Sequence, residues 1–338
     1  IAGIHWCHGL FDRAFLPPLP VMGVVRKREL ETHQSRLDMD AYERHVTRLA
    51  YKQERPFVIV GAGFAGARAA QILTNYDYDV LVFDKGTIPG GRSSTKRRET
   101  GAYNHGCDAL DGEIYADLSI KEMLEGTDVC CDTRITSIEP NPEYVLLEDE
   151  KGFTWEAEAV LLTCPIPQLH ALLPDRAPTE WEEHPYISNW TLICTGTSPV
   201  TNELLRYKSD SIELMRNGID DGNSKVLIVQ MANEWSKEHL EKSRDEITEL
   251  IRQELQSVSQ EWLETAAFHA HRWRFSRPMI QPQPYEEDRL TFAGDAWAEP
   301  IGTVEAAIQS AEQAALALIW KLHYAKKQEP ISMQTTLF

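Results

Sequence analysis

PFVIVGAGFAGARAAQIL (56–73) decides how this chain folds. FVIV (57–60) is a short apolar run rich in β-branched residues, suited to a parallel strand buried on both faces. Glycines follow at Gly61, Gly63 and Gly66, with Phe64 and Ala65 between the last two, and ARAAQIL (67–73) is helix-forming. A second strand is expected at VLVF (80–83), closed by Asp84 and Lys85. Gly61 permits a tight turn, Gly63 lets backbone approach a pyrophosphate, and Gly66 lets the helix lie close on the sheet. The helix N-terminus offers the phosphates unpaired N–H groups and the positive end of its dipole. Asp84, at the end of the second strand, is placed to accept hydrogen bonds from an adenosine ribose. Strand, turn, helix, strand and acid in this register point to dinucleotide binding.

FAD and NAD share that fingerprint, and two later stretches separate them. After Asp84 comes KGTIPGGRSSTKR, where Gly90 and Gly91 again bring backbone near a ligand and Arg92 can pair bidentately with phosphate. Toward the C-terminus, RLTFAGDAW (289–297) reads as a strand running into Gly294-Asp295. Gly302-Thr303-Val304-Glu305 then opens a long helix over 302–322. An acid at such a strand end suits ribityl hydroxyls or the pyrophosphate environment. A helix opening suits the flavin edge where charge accumulates on reduction. Both favour FAD.

The 338 residues allow about two domains. Acids outnumber Lys and Arg 52 to 34, a net charge of −18 that repels phosphate backbones and argues against nucleic-acid coating. No apolar run approaches the ~18 residues of a membrane helix; AALALIWKL meets Lys321. Residues 1–24 lack the layout of a secretory signal, and nothing resembles a transit peptide. The 6 cysteines show no C-x-x-C spacing, which favours a reducing, cytoplasmic setting. RITSIEP and YVLLEDE (134–150) read as antiparallel strands, AVLLTCPIP (159–167) as a buried strand. Ser243–Leu255 reads as a helix with a Ser243/Glu246 capping box and Ile247, Leu250, Ile251 and Leu255 on one face. Residues 1–54 are an extension that packs on the body or reaches a protein partner, with one amphipathic helix at 39–52.

DKGTIPGGRSSTKR, NHGCDAL, TRITSI, LLTCPIPQ, NEWSKEHLEKSRDEI, HAHRWRFSRP and GDAWAEPIGTVEAAIQSAEQAA occur in that order. Over about 56–325 the chain resembles the renalase-like branch of the FAD-dependent amine oxidase superfamily. The resemblance implies an α/β fold with an FAD-binding Rossmann-like domain of p-hydroxybenzoate hydroxylase type and a smaller α+β substrate domain roofing the flavin. It also implies noncovalent FAD and oxidation of dihydronicotinamide isomers, with hydride passing to flavin N5 and electrons to O2, giving H2O2. Carried over by motif, Gly61, Gly63, Gly66, Asp84, Gly91, Arg92 and Asp295 match FAD-binding positions. Phe64, Ala65, Lys85, Gly294 and Thr303 flank them. Ile135 matches a residue whose backbone meets adenine, Thr163 lies on a strand end near the cofactor, and Val304 and Glu305 open the flavin helix. His271, Arg272 and Trp273 match an HRW motif bordering the space above the ring.

One stretch departs from the family. Where it reads D-H-G-A-Q-Y-F, this chain has Asn104-His105-Gly106-Cys107-Asp108-Ala109-Leu110, and ~25–30 residues of pocket wall are missing after it, more than ordinary loop variation. Asp108 remains a candidate carboxylate near the flavin. The expected layout is an extension (1–54), an FAD-binding part (55–174, with a shortened insert near 105–125), a substrate part (175–285), a second FAD-binding part (286–325) and a tail (326–338). The alternative to a small-molecule oxidoreductase is a flavin-binding protein with lost or repurposed catalysis, acting as a partner module. A third reading has Trp6, Phe11 and Phe15 replacing the lost wall. His269 with His271, and His5, Cys7 and His8, are the weak metal candidates; neither group makes a site, and no metal is expected. Trp235 and Trp262 are expected to pack the substrate part.

Overall fold

The computed structural model describes residues 55–98, 101–106, 119–218, 224–256, 258 and 260–325, all within a compact unit running from Thr32 to Phe338. The expected 39–52 helix, Trp6, Phe11, Phe15, the His5/Cys7/His8 group and Asp108 lie outside the described residues.

FVIV becomes β1 (Phe57–Val60) and VLVF becomes β2 (Val80–Phe83), joined by α1 (Phe64–Asn75). β3 (Thr95–Arg98) and β4 (Gly101–Asn104) form a hairpin, followed by the short α2 (Ile120–Met123) and β5 (Asp128–Cys130). A meander of β6 (Ile135–Pro140), β7 (Val145–Asp149) and β8 (Thr154–Ala157) leads into β9 (Ala159–Leu162) and α3 (Ile166–Leu172). Next come β10 (Tyr186–Gly196), α4 (Asn202–Arg206), β11 (Ile212–Asn217), β12 (Lys225–Met231), α5 (Asn233–Glu238), α6 (Arg244–Leu255) and α7 (Gln260–Thr265). β13 (Ala267–Pro278), β14 (Leu290–Phe292) and the long α8 (Val304–Ala325) complete the described chain.

The first sheet is parallel, ordered β14-β9-β1-β2-β5. Its central strands are buried on both faces, which is why FVIV, VLVF and AVLL read as unbroken apolar runs. Phe57 and Ile59 point to a core with Ala67, Ala70 and Leu73 of α1 and Ala311 and Leu318 of α8. Val58 and Val60 point the other way, to Leu147 and Trp155 of the meander and Ile166 of α3. Alanines line α1 and α8 where they meet, so the two helices sit close together beneath the sheet. β1 lies between β2 and β9, the point where the strand order reverses and where an open α/β sheet binds its ligand beyond the strand C-termini.

The second sheet is antiparallel, ordered β11-β12-β10-β13. Trp190, Leu192 and Val229 bury one face against Ile247, Ile251 and Leu255 of α6 and against Trp262 of α7. Trp235 packs at the margin of this core. The capping box at Ser243 is formed, with Oγ accepting from Glu246 N at 3.3 Å and Glu246 Oε2 accepting from Ser243 N at 2.9 Å. On the other face, Tyr103 of β4 packs on Ile193, Val226 and Ile228. The β3–β4 hairpin therefore bridges from the glycine-rich segment onto the antiparallel sheet.

An ideal Cβ on Gly66 would stand 1.8 Å from the Gly61 carbonyl oxygen. Gly66→Ala is therefore expected to push α1 off the sheet, lowering the melting temperature and abolishing retention on gel filtration of the flavin that the resemblance implies. A Gly66→Ala protein that melts with the parent and stays yellow would contradict this packing.

Candidate functional site

The glycines of the turn divide into two pairs. A Cβ at Gly61 (φ +109°) would meet Thr163 Oγ1 at 2.2 Å, and one at Gly66 would strike Gly61 O, so these two glycines serve packing. Thr163 closes the back of the turn, its Oγ1 donating to Val60 O at 2.9 Å. A Cβ at Gly63 would find only Gly90 O, at 4.0 Å, and one at Gly91 (φ +53°) only the Gly63 Cα, at 3.8 Å. The two glycine segments thus lie within van der Waals reach of each other, and a side chain on Gly63 or Gly91 would meet no described atom closer than that. Gly90 N donates to Ala62 O at 2.8 Å, so the second glycine segment is fastened to the first.

Gly63 caps α1 without any side-chain hydrogen bond, and no acidic residue lies in the first turn. Phe64 and Ala65 open the helix with their side chains in the core, so what they present is backbone N–H. Asp84 closes on the same turn: Oδ2 accepts from Ala62 N and Oδ1 from Gly86 N, both at 2.6 Å. Burial raises its pKa, while the two backbone donors oppose that rise. A carboxylate has about four lone-pair positions, so these bonds leave an acceptor on each oxygen for a ribose diol. Lys85 turns away, Nζ donating to Gln168 Oε1 at 2.9 Å. Thr133 N donates to Asp84 O at 3.0 Å, which brings the start of β6, with Ile135 buried there, beside the acid. The paired glycine segments, the uncapped helix end and the acid fit a dinucleotide.

Arg92 differs from the sequence reading. Its Nη1 and Nη2 donate to Asp295 Oδ2 and Oδ1, both at 2.7 Å, and Nη1 also donates to Ser276 O at 2.8 Å. The guanidinium is thus committed to Asp295 in a bidentate pair, because an acid only 7% exposed needs a cation on it. The pair occupies both terminal nitrogens of Arg92 and both carboxylate oxygens of Asp295. Gly294 N donates to Ser310 Oγ at 2.9 Å, fixing the strand end to α8. Thr303 caps α8: Oγ1 accepts from Ala306 N at 3.1 Å and donates to Pro300 O at 2.7 Å, leaving the Val304 and Glu305 amides at the helix mouth.

β13 separates the HRW residues by its alternation. His271 and Trp273 face the β3–β4 hairpin, their ring centroids 4.3 Å apart. Arg272 points to the opposite face, where Nη1 donates to Leu240 O at 2.8 Å and the guanidinium lies over Trp190 at 5.8 Å. The expectation that Arg272 borders the space above the flavin is therefore corrected: a strand cannot put consecutive side chains on one face. His269 shares the His271 face, yet among the described residues no group of three potential metal ligands forms.

His105 is the residue the sequence reading passed over. It is 4% exposed, and its ring centroid lies 4.3 Å from His271, edge to face, and 5.0 Å from Trp273. Trp273 Nε1 donates to His105 O at 2.9 Å; Arg216 Nη2 donates to Asn104 O at 2.7 Å and Gly106 O at 3.2 Å. Three successive carbonyls of Asn-His-Gly are thus held by side chains of the antiparallel sheet. Tyr186 was also missed. Its hydroxyl accepts from Ile166 N at 3.2 Å, and burial pushes its phenol far up beside Asp295 and Arg92.

Burial pushes His105 down to about 3 and His271 down to about 4. Both rings are neutral at physiological pH. Burial likewise pushes the Cys131 and Cys164 thiols up to about 11, so neither is a reactive thiolate. Cys130, Cys131, Cys164 and Cys194 are free thiols. Among the described residues no helix is long and apolar enough to cross a membrane.

A Rossmann-type parallel sheet with this glycine turn and a separate antiparallel sheet bearing aromatic residues defines a dinucleotide-dependent oxidoreductase fold. Residues 59–123 match the NAD(P)-binding Rossmann-like domain, and residues 116–319 match the flavin containing amine oxidoreductase family. The chain belongs to that family, which makes it a flavin-dependent oxidoreductase. Its fold is similar to that of a protein described as a protoporphyrinogen oxidase from Exiguobacterium sp. 255-15 (13% identity, 80% of this chain and 99% of that one, TM-score 0.59). It is also similar to wild-type putrescine oxidase with putrescine bound (12% identity, 79% and 99%, TM-score 0.56).

A histidine whose folded pKa lies below the ordinary 6.5 binds its proton more readily in the unfolded chain. Stability is therefore whole above about pH 6.5 and is lost as pH falls toward the folded values. Melting temperatures from pH 7.5 down to 4.5 should fall steadily. A His105→Asn/His271→Asn double variant should show a shallower fall, by up to about two protons per molecule. Identical slopes would show that the pair is not buried neutral.

Proposed function

We propose that this chain is an FAD-dependent oxidoreductase of the renalase-like branch, taking a hydride from a small reduced nitrogen compound that is dihydronicotinamide- or amine-like. O2 is the acceptor, giving H2O2. The observation that carries this reading is the uncapped end of α1 at Gly63, with Gly91 packed beside it and Asp84 hydrogen-bonded to the same turn. When bound, FAD supplies a two-electron acceptor that O2 reoxidises. The chain's own residues do the rest. Gly63 and Gly91, lacking side chains, would let the diphosphate approach the α1 amides. Asp84 would hold the ribose, the Arg92–Asp295 pair would lie near the ribityl–diphosphate portion, and the amides at the α8 mouth would serve the flavin end. His271 and Trp273 orient the substrate and exclude water. A hydride transfer needs a near-attack pose at about 3–3.5 Å more than it needs a strong acid or base, in keeping with a site built from neutral imidazoles and an indole.

Residues 55–174 and 286–325 form the FAD-binding part in this reading, and 175–285 the substrate part. FAD is held noncovalently; the high thiol pKa values of Cys131 and Cys164 favour this over a thioether tether. The free thiols favour a cytoplasmic setting. A second reading, a flavin-binding partner module with residues 1–54 as its docking segment, is favoured by the short stretch between Gly106 and Ser119, where the family builds pocket wall.

The purified chain should be yellow, and anaerobic addition of dihydronicotinamide isomers should bleach the band near about 450 nm, with one H2O2 per donor once air is admitted. A yellow protein inert to dihydronicotinamides and amines alike would favour the partner module. A colourless one would end both readings.

A further inference from the structure

Four aromatic side chains meet beside the loop that follows β14, away from the imidazole pair. Trp181, in the 3-10 turn Thr179–Trp181, is fully buried. Its ring centroid lies 5.5 Å from that of Trp297 and 5.7 Å from that of Tyr285, edge to face in both cases. Phe292 of β14 packs on all three, at 5.3 Å from Trp181, 5.4 Å from Trp297 and 5.7 Å from Tyr285. Trp297 stands at the inner end of the group. Its N donates to Gly294 O at 3.1 Å, two residues from Asp295, and its Cδ1 would lie 3.7 Å from a Cβ on Gly294. Tyr285 stands at the outer end, half-buried between the exposed Pro284 and Glu286. Packing alone asks these rings only for bulk. It accounts neither for their order, indole, indole, phenol from strand end to surface, nor for the way their N–H and O–H groups are bonded.

Indole and phenol are among the side chains most readily oxidised by one electron, and where the resulting hole comes to rest depends on where a proton can go. Trp297 Nε1 is buried with no hydrogen-bond partner among the described residues. Trp181 Nε1 donates to a carbonyl, Gln283 O, at 3.2 Å, and a carbonyl is no base. An oxidised indole at either place keeps its proton and stays a strong oxidant. The Tyr285 hydroxyl differs, because it donates to Glu287 Oε2 at 2.9 Å. A phenol oxidised there can pass its proton along an existing hydrogen bond to a carboxylate. Arg176 Nη1 donates to the same Oε2 at 3.4 Å and holds the acid in place. Burial and the bond to Glu287 push the phenol up to about 12, so it carries its proton at physiological pH. A hole is mobile at the inner end of this row and trapped at the outer end.

We propose that Trp297, Trp181 and Tyr285 form a one-electron path that carries an oxidising equivalent from the flavin crevice to the surface, with Glu287 as its proton acceptor. A one-electron oxidant in the crevice, the light-excited oxidised flavin in the test below, takes an electron from Trp297. Trp181 then gives an electron to Trp297, and Tyr285 gives one to Trp181. The O–H bond of Tyr285 breaks and its proton passes to Glu287 Oε2. The oxidant has gained one electron, and a neutral tyrosyl radical and a protonated carboxylate remain. Such a path moves a stray oxidising equivalent away from the cofactor to a ring that dissolved reductants can reach. It lies outside the hydride reaction proposed above and uses only the bound flavin that the family implies.

The flavin-loaded protein is illuminated with blue light without substrate and frozen, and its radicals are read by electron paramagnetic resonance. The flavin fluorescence lifetime is recorded on the same samples. The wild type is expected to give a tyrosyl signal. Tyr285→Phe, which keeps the ring and loses only the hydroxyl, should give a tryptophanyl signal in its place. Glu287→Gln, which leaves all three rings and removes the base, should make the same exchange. Trp297→Phe should lose both signals and lengthen the flavin lifetime. Should Trp297→Phe fail to fold, the variants at the half-buried Tyr285 and Glu287 decide the matter. No protein radical in the wild type, a tyrosyl signal that survives Tyr285→Phe or Glu287→Gln, or an unchanged lifetime in a folded Trp297→Phe would each overturn the proposal. If reduced donors bleach the flavin but light gives no tyrosyl radical, this proposal fails and the hydride reading stands. If the radical forms through Tyr285 and no donor bleaches the flavin, the reverse holds. A colourless protein overturns both.

Discussion

The approach of α1 to the Gly61 carbonyl at Gly66 sets the position of nearly everything that matters in this molecule. With no Cβ at either residue, the helix settles directly on the turn, its alanines reach Ile59 and α8, and its first amides stop at the strand end. Thr163 holds the turn from behind, and Asp84 holds it from the side through the Ala62 amide. A side chain at Gly66 would place its Cβ 1.8 Å from Gly61 O, so the helix would have to move back and strain the Ala62–Asp84 and Ala62–Gly90 bonds with it. The crevice is a by-product of tight packing on one side and of glycine on the other.

The Arg92–Asp295 pair does a related job for the far end of the site. It joins the glycine-rich segment after β2, the loop after β14 and, through Ser276 O, the end of β13. Three stretches distant in sequence meet at one guanidinium, so the parallel sheet and the antiparallel sheet are registered on each other by charge as well as by the Tyr103 contact. Breaking one partner would leave the other desolvated, a cost of about 3–5 kcal/mol where such pairs are buried and less here, because the arginine is a third exposed.

Much of the parallel sheet was legible in the sequence because the physics is local there. FVIV, VLVF and AVLL are apolar runs bounded by turn residues, the glycine spacing is fixed by helix and strand geometry, and the Ser243/Glu246 cap is a four-residue signal. The second sheet was harder to read. HAHRWRF could be located, but the tripeptide His271-Arg272-Trp273 carries no mark of which face each residue takes until the strand is paired with β10, where Arg272 falls opposite Trp190 on the helix-covered side. Arg92 was read as a phosphate ligand because its acid lies 203 positions away in the chain, a partner no local pattern reveals. His105 was quoted as part of a departing motif, and what makes it notable is burial and a missing partner, properties of the folded surface alone.

The contrast between the two halves of the site bears on what chemistry it can hold. On the dinucleotide side, charge is present and answered: Asp84 by backbone amides, Asp295 by Arg92. On the side of the antiparallel sheet the two imidazoles are stripped of charge by burial and by basic neighbours. A neutral ring beside cations cannot act as a proton source at physiological pH, and it cannot pull a proton from a weakly acidic C–H. What it can do is hold a planar, uncharged group in place by hydrogen bonding and edge-on contact while Trp273 limits water. Positioning without proton transfer is the contribution a hydride donor requires from its protein, whereas a cationic amine would first have to shed a proton to a base that these two imidazoles, already lowered to about 3 and 4, do not provide.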